Sequence, residues 1–321
     1  MGTPFGSTDS PPANARAELH AVTGAFGFTG RFVARRLLDA GVRVRTLTNS
    51  PGKPDPFGGH LEVRPLAFDD PAGLAESLRG VRVLHNTYWV RFNHAGFSHR
   101  QAVRNTLALF SAAKQAGVER IVHVSIANAS ADSPFEYYRS KAALEAALEG
   151  SGVSFAIVRP ALLFGPGDIL INNIAWMLRH FPVLGIFGDG RYRLRPVHVD
   201  DMAALMVAQG SARGDVVVDV VGPEAYAYRD LVGMIGEAIG HRRLLLRVPV
   251  WAGLVAARAM GLVLRDVVLT REEMGGLMAG LLDVQGPATG ATRLSEWARA
   301  NAADLGTRYA SELARRRPAR P

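Results

Sequence analysis

Thr23-Gly24-Ala25-Phe26-Gly27-Phe28-Thr29-Gly30 follows the apolar run Leu19–Thr23 and leads into a segment with Val33, Leu37 and Leu38 at helical spacing. The three glycines answer three needs at a strand-to-helix junction. Gly24 permits a tight turn, Gly27 lets backbone N–H groups approach a pyrophosphate, and Gly30 lets helix and strand pack closely, with the helix N-terminus facing the phosphate charge. Phe26, Phe28 and Thr29 belong to the same turn and are expected to border the ligand with it. Glycines also close ordinary turns. The reading therefore rests on position: this turn stands at the first strand–helix junction of an alternating array.

Working outward, short β-branched runs alternate with amphipathic stretches. Strands are expected at Leu19–Thr23, Val42–Leu47, Leu61–Arg64, Val81–Asn86, Arg120–Ser125 and Ser154–Arg159, and helices at Gly30–Ala40, Pro71–Leu78, His99–Ala116 and Glu136–Gly150. Strands separated by helices of ten or more residues need right-handed crossovers and hence a parallel sheet. Gly41, Gly117 and Gly152 stand just past three of these helices, where a left-handed cap is wanted. After Gly165 the rhythm turns irregular and more helical. The expected architecture is α/β: a Rossmann-type doubly wound parallel sheet over residues 18–165, then a smaller, mostly helical C-terminal lobe over 166–310 with some segments returning to the sheet. Residues 1–17 read as a disordered lead-in and 311–321 as a basic, solvated tail.

Composition narrows the function. With 48% hydrophobic and 21% charged residues in 321, the chain is neither disordered nor fibrous. It has no cysteine, which removes disulfides, thiol nucleophiles and Cys-based zinc sites and fits a reducing cytoplasm. The net charge is +8, but of 37 Lys and Arg only Lys53, Lys114 and Lys141 are lysine, and four of the arginines sit in the last eleven residues. No nucleic-acid-binding signature accompanies that charge, so no nucleic-acid partner is expected. Val248–Leu264, broken by Pro249 and Arg258, is too short and too interrupted to span a membrane. Arg258 and Arg265 share one face of it, with Trp251, Leu254, Val255 and Leu262 assigned elsewhere around the helix. It is expected to cover the protein's own core in preference to lying in a membrane interface. A soluble monomer or homodimer without membrane insertion is the expectation.

A dinucleotide site usually shows an acidic residue at the end of the second strand, gripping the adenosine ribose. Here Thr48-Asn49-Ser50-Pro51-Gly52-Lys53 has no carboxylate. An acid would repel a 2′-phosphate, whereas Asn49, Ser50 and Lys53 can bond one, which favours NADP(H) over NAD(H). Further on, Tyr137 and Lys141 lie four apart at the start of a helix and so share a face. An ammonium beside the phenol is expected to lower its pKa and fit it for proton exchange. Ser125, twelve residues earlier at a strand end, offers a hydroxyl for a substrate oxygen.

With these motifs in order, residues from about 19 to 240 resemble the short-chain dehydrogenase/reductase superfamily, in its extended and atypical branches. The resemblance rests on the Thr-Gly-x-x-Gly-x-x-Gly turn, Asn105, Ser125, Tyr137 with Lys141, Arg159-Pro160 followed by Gly165-Pro166-Gly167, and Val197-His198-Val199-Asp200-Asp201-x-Ala203. Together with Gly188-Asp189-Gly190, the pattern is similar to the accessory NADPH-binding subunit group of respiratory complex I. The resemblance implies an oxidoreductase in which Tyr137 is the general acid/base, Lys141 also holds the nicotinamide ribose, and Ser125 orients the reacting carbonyl or hydroxyl. It further implies Pro160 and Leu163 against the nicotinamide end and Thr87-Tyr88 along the cofactor cleft.

The sequence departs from the family pattern in three places. Ala67 stands where an adenine-binding Asp is common, Ser125 is followed by Ile126 where a second Ser is usual, and Leu194-Arg195-Pro196 replaces a diphosphate-binding Arg. No metal site is expected: His94 and His99 are off the helical spacing, and one of Asp200 and Asp201 reads as a helix cap over 201–209. Trp89, Phe92 and Phe97 either wall an apolar substrate pocket or pack their own loop. Three functions follow: reduction or oxidation of a small carbonyl or alcohol, epimerisation or dehydration of a nucleotide-sugar, or cofactor binding without turnover.

Overall fold

The computed structural model describes residues 18–50 and 52–316, so the expected disordered lead-in and residues 317–321 of the basic tail lie outside the described residues. Seven strands form one parallel sheet: β1 (Leu19–Thr23), β2 (Arg43–Thr48), β3 (Glu62–Pro65), β4 (Val83–Asn86), β5 (Arg120–Val124), β6 (Ser154–Pro160) and β11 (Val216–Val220). Their order, β11-β6-β5-β4-β1-β2-β3, reverses direction at β1 and leaves a crevice there at the carboxyl ends. All five residues of β1 are buried because helices cover both faces of the sheet at its centre, whereas the edge strand β11 alternates in burial.

On one face, Val33, Ala34 and Leu37 of α1 (Phe28–Asp39) pack with Met202, Ala203 and Met206 of α6 (Val199–Ser211). On the other lie α2 (Pro71–Ser77), α3 (His99–Gln115) and α4 (Glu136–Glu149), contributing Leu74, Leu109, Phe110, Leu144 and Leu148. Gly41, Gly117 and Gly152 adopt φ of 74°, 75° and 75°, the left-handed closures read from the sequence. The boundary near Gly165 is not a clean one, since α6 and β11 follow it and still belong to the sheet layers.

A second apolar cluster gathers Phe164, Ile171, Ile174, Ile186, Leu231, Ile235 and Leu294. They come from β7 (Leu162–Phe164), α5 (Leu170–His180), β8 (Val183–Phe187), α7 (Tyr228–Ala238) and α10 (Leu294–Ala300). Three two-stranded ribbons fix this lobe: β7 with β10 (Pro196–His198), β9 (Arg193–Leu194) with β12 (Tyr226–Ala227), and β8 with β13 (Leu244–Val248). The remaining helices are α8 (Val250–Leu264), α9 (Arg271–Met278) and α11 (Glu312–Arg316).

Three expectations are corrected. First, α8 does not bury its large apolar side chains: Gly253 alone is buried, while Trp251, Leu262 and Val263 are 71%, 77% and 83% exposed. A Cβ at Gly253 would meet the Phe187 ring at 1.9 Å, so the helix approaches β8 closely at Gly253 while its large apolar side chains face outward. Second, the described part of the basic tail is folded. Asp266 accepts from Glu312 N and Leu313 N at 3.1 Å each, and Lys53 Nζ donates to Arg315 O at 2.9 Å, so both ends of α11 are held. Third, neither Asp200 nor Asp201 caps α6. His198 occupies the N-cap and its ring accepts from Asp200 N. Asp200 instead pairs with Arg36 at 2.7 and 2.8 Å, and Asp201 binds Ala291 N and Thr292 N.

Candidate active site

The carboxyl ends of the sheet collect nearly every residue singled out from the sequence. The glycine turn follows β1, Asn49 and Ser50 follow β2, Thr87 and Tyr88 follow β4, Ser125 follows β5, and Pro160 ends β6 just before Leu163 in β7. The β1 and β4 ends are tied together through Thr23, whose Oγ1 donates to Asn86 Oδ1 at 3.0 Å and accepts from Thr87 N at 2.7 Å and Tyr88 N at 3.0 Å. Asn105 reaches in from α3 to donate to the Tyr88 hydroxyl at 2.8 Å. The main chain of Thr87-Tyr88 is thereby fixed along the cleft.

The turn after β1 has the shape a pyrophosphate needs. Gly24 sits at φ 67°, and a Cβ on Gly30 would lie 2.3 Å from Gly24 O, so α1 approaches the strand end as only glycine allows. Gly27 is the N-cap of α1 and brings no side-chain acceptor, so no capping side chain competes for the amides of Phe28, Thr29 and Gly30. Cations converge on the same place. Arg31 bonds Pro166 O and Arg315 bonds Gly167 O, and their guanidinium carbons stand 5.9 and 6.0 Å from the Phe28 ring. Burial, followed by the charges of Arg316 and Arg315, holds Lys53 below the usual lysine range, and burial followed by Arg315 lowers Arg31. An anion here would relieve that crowding of positive charge, so the residues fit a phosphorylated dinucleotide. Arg31 carries no motif in the sequence, and Arg315 belongs to the basic tail, whose arginines can touch phosphates but read there as a solvated end. Arg31 stands next to Gly30; Arg315 is 284 positions away in the chain from Arg31, and no local signal places it here.

Tyr137 and Lys141 occupy the first turns of α4, as their spacing requires. Tyr137 lines a cavity of about 280 Å³, walled largely by apolar side chains including Ile126, Ala161, Leu162, Leu269 and Leu277. Lys141 and Ser125 do not line it. Lys141 is fully buried; its Nζ donates to Val124 O at 2.8 Å and stands 4.1 Å from the centre of the Trp89 ring. Burial pulls this ammonium down to about 7, partly offset by Glu145. The Tyr137 phenol is raised above its ordinary value, first by burial and then by Tyr138 and Glu273. The lowering expected from Lys141 is not found: desolvation of the phenolate dominates, only Arg91 and Trp89 work against it, and the Lys141 ammonium is engaged elsewhere. Ser125 Oγ is buried without a hydrogen-bond partner, a polar group still in need of one.

Of the aromatic residues after β4, Phe92 lines the cavity, whereas Trp89 stacks on His99 and meets Tyr137 edge-on at 5.9 Å. The charged part of the wall is the ion pair of Arg91 with Glu273, joined by Glu272. None of these three was legible beforehand, because Glu272 and Glu273 read as an ordinary acidic first turn of α9. Arg195 is spent on the carbonyls of Gly222 and Gly286 at 2.8 and 2.7 Å, and Arg193 faces Asp283. Neither substitutes for a free diphosphate-binding arginine. Among the described residues no group of three His, Asp or Glu side chains is placed to hold a metal ion.

Residues 24–168 match an NAD(P)H-binding family model. The chain is 29% identical over 252 residues to the mitochondrial NADH dehydrogenase [ubiquinone] 1 alpha subcomplex subunit 9 of Arabidopsis thaliana, covering 74% of this chain and 62% of the length of that relative. It is 30% identical over 234 residues to the ceramide reductase of Caulobacter vibrioides, covering 71% of this chain and 73% of the reductase. In fold it superposes on the triphenylmethane reductase of Citrobacter sp. with a TM-score of 0.73 at 16% identity, over 89% of this chain and 99% of that one.

Proposed function

Because the chain belongs to the NAD(P)H-binding short-chain dehydrogenase/reductase superfamily, in its extended and atypical branch, we propose that it is an NADP(H)-dependent reductase of a small, mostly apolar carbonyl compound. The observation that carries this reading is Tyr137. Its ring lines an apolar cavity at the carboxyl edge of the sheet, one helical turn before a buried lysine. NADPH, when bound, supplies a hydride. The protein's part is to hold the carbonyl carbon near the nicotinamide and to deliver a proton from the Tyr137 hydroxyl to the carbonyl oxygen. We assign Lys141 the phenolate-stabilising and ribose-binding roles that the family resemblance implies, which require its ammonium to leave Val124 O. Ser125 is assigned the oxygen-orienting role that the resemblance implies; its hydroxyl is unpartnered, and the role requires the cavity to extend to it. The cavity's apolar walls exclude water and select an apolar substrate.

The preference for NADP(H) rests on charge. Asn49 and Ser50 bring no carboxylate to the end of β2, Lys53 follows them with a cation, and Arg31 and Arg315 add positive charge beside the glycine turn. An epimerase of nucleotide-sugars is disfavoured by the engagement of Arg195. A second reading, cofactor binding without turnover, is supported by Lys141, which bonds Val124 O and lies under Trp89. Tyr137→Phe separates the two. Under the reductase reading it lowers NADPH-dependent turnover of apolar ketones and aldehydes by roughly 10²–10⁴-fold and leaves cofactor affinity unchanged. Unaltered turnover in this variant sinks the assignment. Tight NADPH binding with no turnover of any carbonyl by the wild type favours the second reading.

A further inference from the structure

We propose that α8 is a docking surface for an anionic membrane. Residues at helical spacing on its outward side, Trp251, Val255, Ala259 and Leu262, are exposed, as is Val263 beside them. Arg258, expected from the sequence on a face apart from these residues, stands instead in the same stripe, since it lies seven residues after Trp251 and four before Leu262. The outward face of a surface helix is ordinarily polar; this one is apolar apart from a single arginine. β13 feeds directly into α8 and exposes Leu244 and Leu246, which its period-two geometry sets on one side.

Charge says what covers this face. Residues 241–265 contain five arginines and no Asp or Glu; Arg242 pairs with Glu237 and Arg243 bonds Leu178 O, and Arg247, Arg258 and Arg265 are exposed with no acidic partner among the described residues. The first acid after them, Asp266, is buried and committed to the N-terminus of α11. An anionic lipid surface meets each of these features: phosphates for the arginines, the headgroup boundary for Trp251, and acyl chains for Val255, Leu262 and Val263. A second copy of the chain fits worse, because a two-fold contact through α8 would bring Arg258 near its own mate with no carboxylate in the segment to pair it. Among the described residues no helix is long and apolar enough to cross a membrane, so the contact is one of lying on the surface. The chain leaving α8 reaches the cavity wall at Leu269 and Thr270, which brings the docking face and the apolar cavity within a few residues of each other along the chain.

Flotation of the full chain with vesicles tests this without reference to turnover. Association is expected with phosphatidylcholine vesicles containing about 30% phosphatidylglycerol, weakening with salt, and is expected to be at least 10-fold weaker with phosphatidylcholine alone. Val255→Glu combined with Leu262→Glu, at exposed positions that leave the melting temperature in place, is expected to reduce binding to anionic vesicles by about 10-fold or more. Arg258→Glu is expected to reduce it by about 5-fold or more, and truncation after Arg316 to leave it intact. The proposal is overturned by absence of binding to anionic vesicles, by unchanged binding in the double variant, or by loss of binding on truncation. It is also overturned if analytical ultracentrifugation shows a dimer that the double variant dissociates.

Discussion

Gly30→Ala and Gly233→Ala are the same chemical change in two helices, and the structure assigns them opposite signs. At Gly30 the added Cβ would lie 2.3 Å from Gly24 O, 2.8 Å from Gly24 C and 3.1 Å from Ala25 Cα. All three are backbone atoms of the phosphate turn, so no side chain can swing aside. To restore an ordinary contact, α1 must retreat from β1 by about 1 Å, a core overpacking that costs about 1–3 kcal/mol. The same retreat carries the α1 amides away from the phosphates. Losing one charge-assisted hydrogen bond costs about 1.5–3 kcal/mol, or roughly 10- to 100-fold in NADPH Kd. At Gly233, inside α7 and exposed, a Cβ meets nothing within 4 Å, and alanine is expected to stabilise by about 0.5–1 kcal/mol through its helix propensity. Thermal melts and NADPH titration by fluorescence of both variants check this, with roughly 2–4 °C expected per kcal/mol. Wild-type melting and wild-type NADPH affinity in Gly30→Ala would refute the close-approach argument.

Lys53→Ala is expected to raise the NADPH Kd by about 10-fold, the scale of one lost charged hydrogen bond, and to leave the NADH Kd unchanged; equal effects on both cofactors would remove Lys53 from the 2′-phosphate. Lys141→Met is expected to weaken turnover and cofactor binding together, measured by steady-state kinetics and titration. A loss of turnover alone would confine it to the proton step. Stability is expected to fall on mild acidification. Burial lowers His20 to about 4, His85 to about 3 and His123 well below its ordinary 6.5, so below pH 6.5 the unfolded chain takes up protons that the native state refuses. Asp168, pushed by burial up to about 7, works the other way. Three histidines against one carboxyl leave a net decline that steepens from roughly 1 to roughly 2.5 kcal/mol per pH unit as pH falls from 6.5 toward 5, read from denaturant midpoints. Equal midpoints at the two ends of that range would contradict it.

The sheet strands β1 to β6, the helices between them and the glycine turn were legible because their signals are local. A β-branched run bounded by glycine, and apolar residues at helical spacing, fix an element within ten residues of chain. The pairing of Tyr137 with Lys141 was legible for the same reason, since one helical turn is fixed by spacing alone. The conformation of the glycine turn needed only that Gly24, Gly27 and Gly30 follow a strand. Nothing local announced β11 as the seventh strand, because its fit beside β6 depends on the intervening lobe bringing it there.

Only the tertiary structure decided which side of each element meets solvent and which distant groups meet each other. The apolar run of α8 specified a helix but not its neighbour; contact through Gly253 with Phe187 left Trp251 and Leu262 outside. The end of the chain gave a count of arginines, yet Asp266 and Lys53 folded it as α11 beside the glycine turn. Tyr137 and Lys141 were placed on one face by the sequence, but burial set their proton affinities, raising one and lowering the other. Local conformation is governed by steric preferences and periodicity within a few residues. Solvation, and the charges that share a site, depend on segments hundreds of residues apart, so they exist only once the chain has closed on itself.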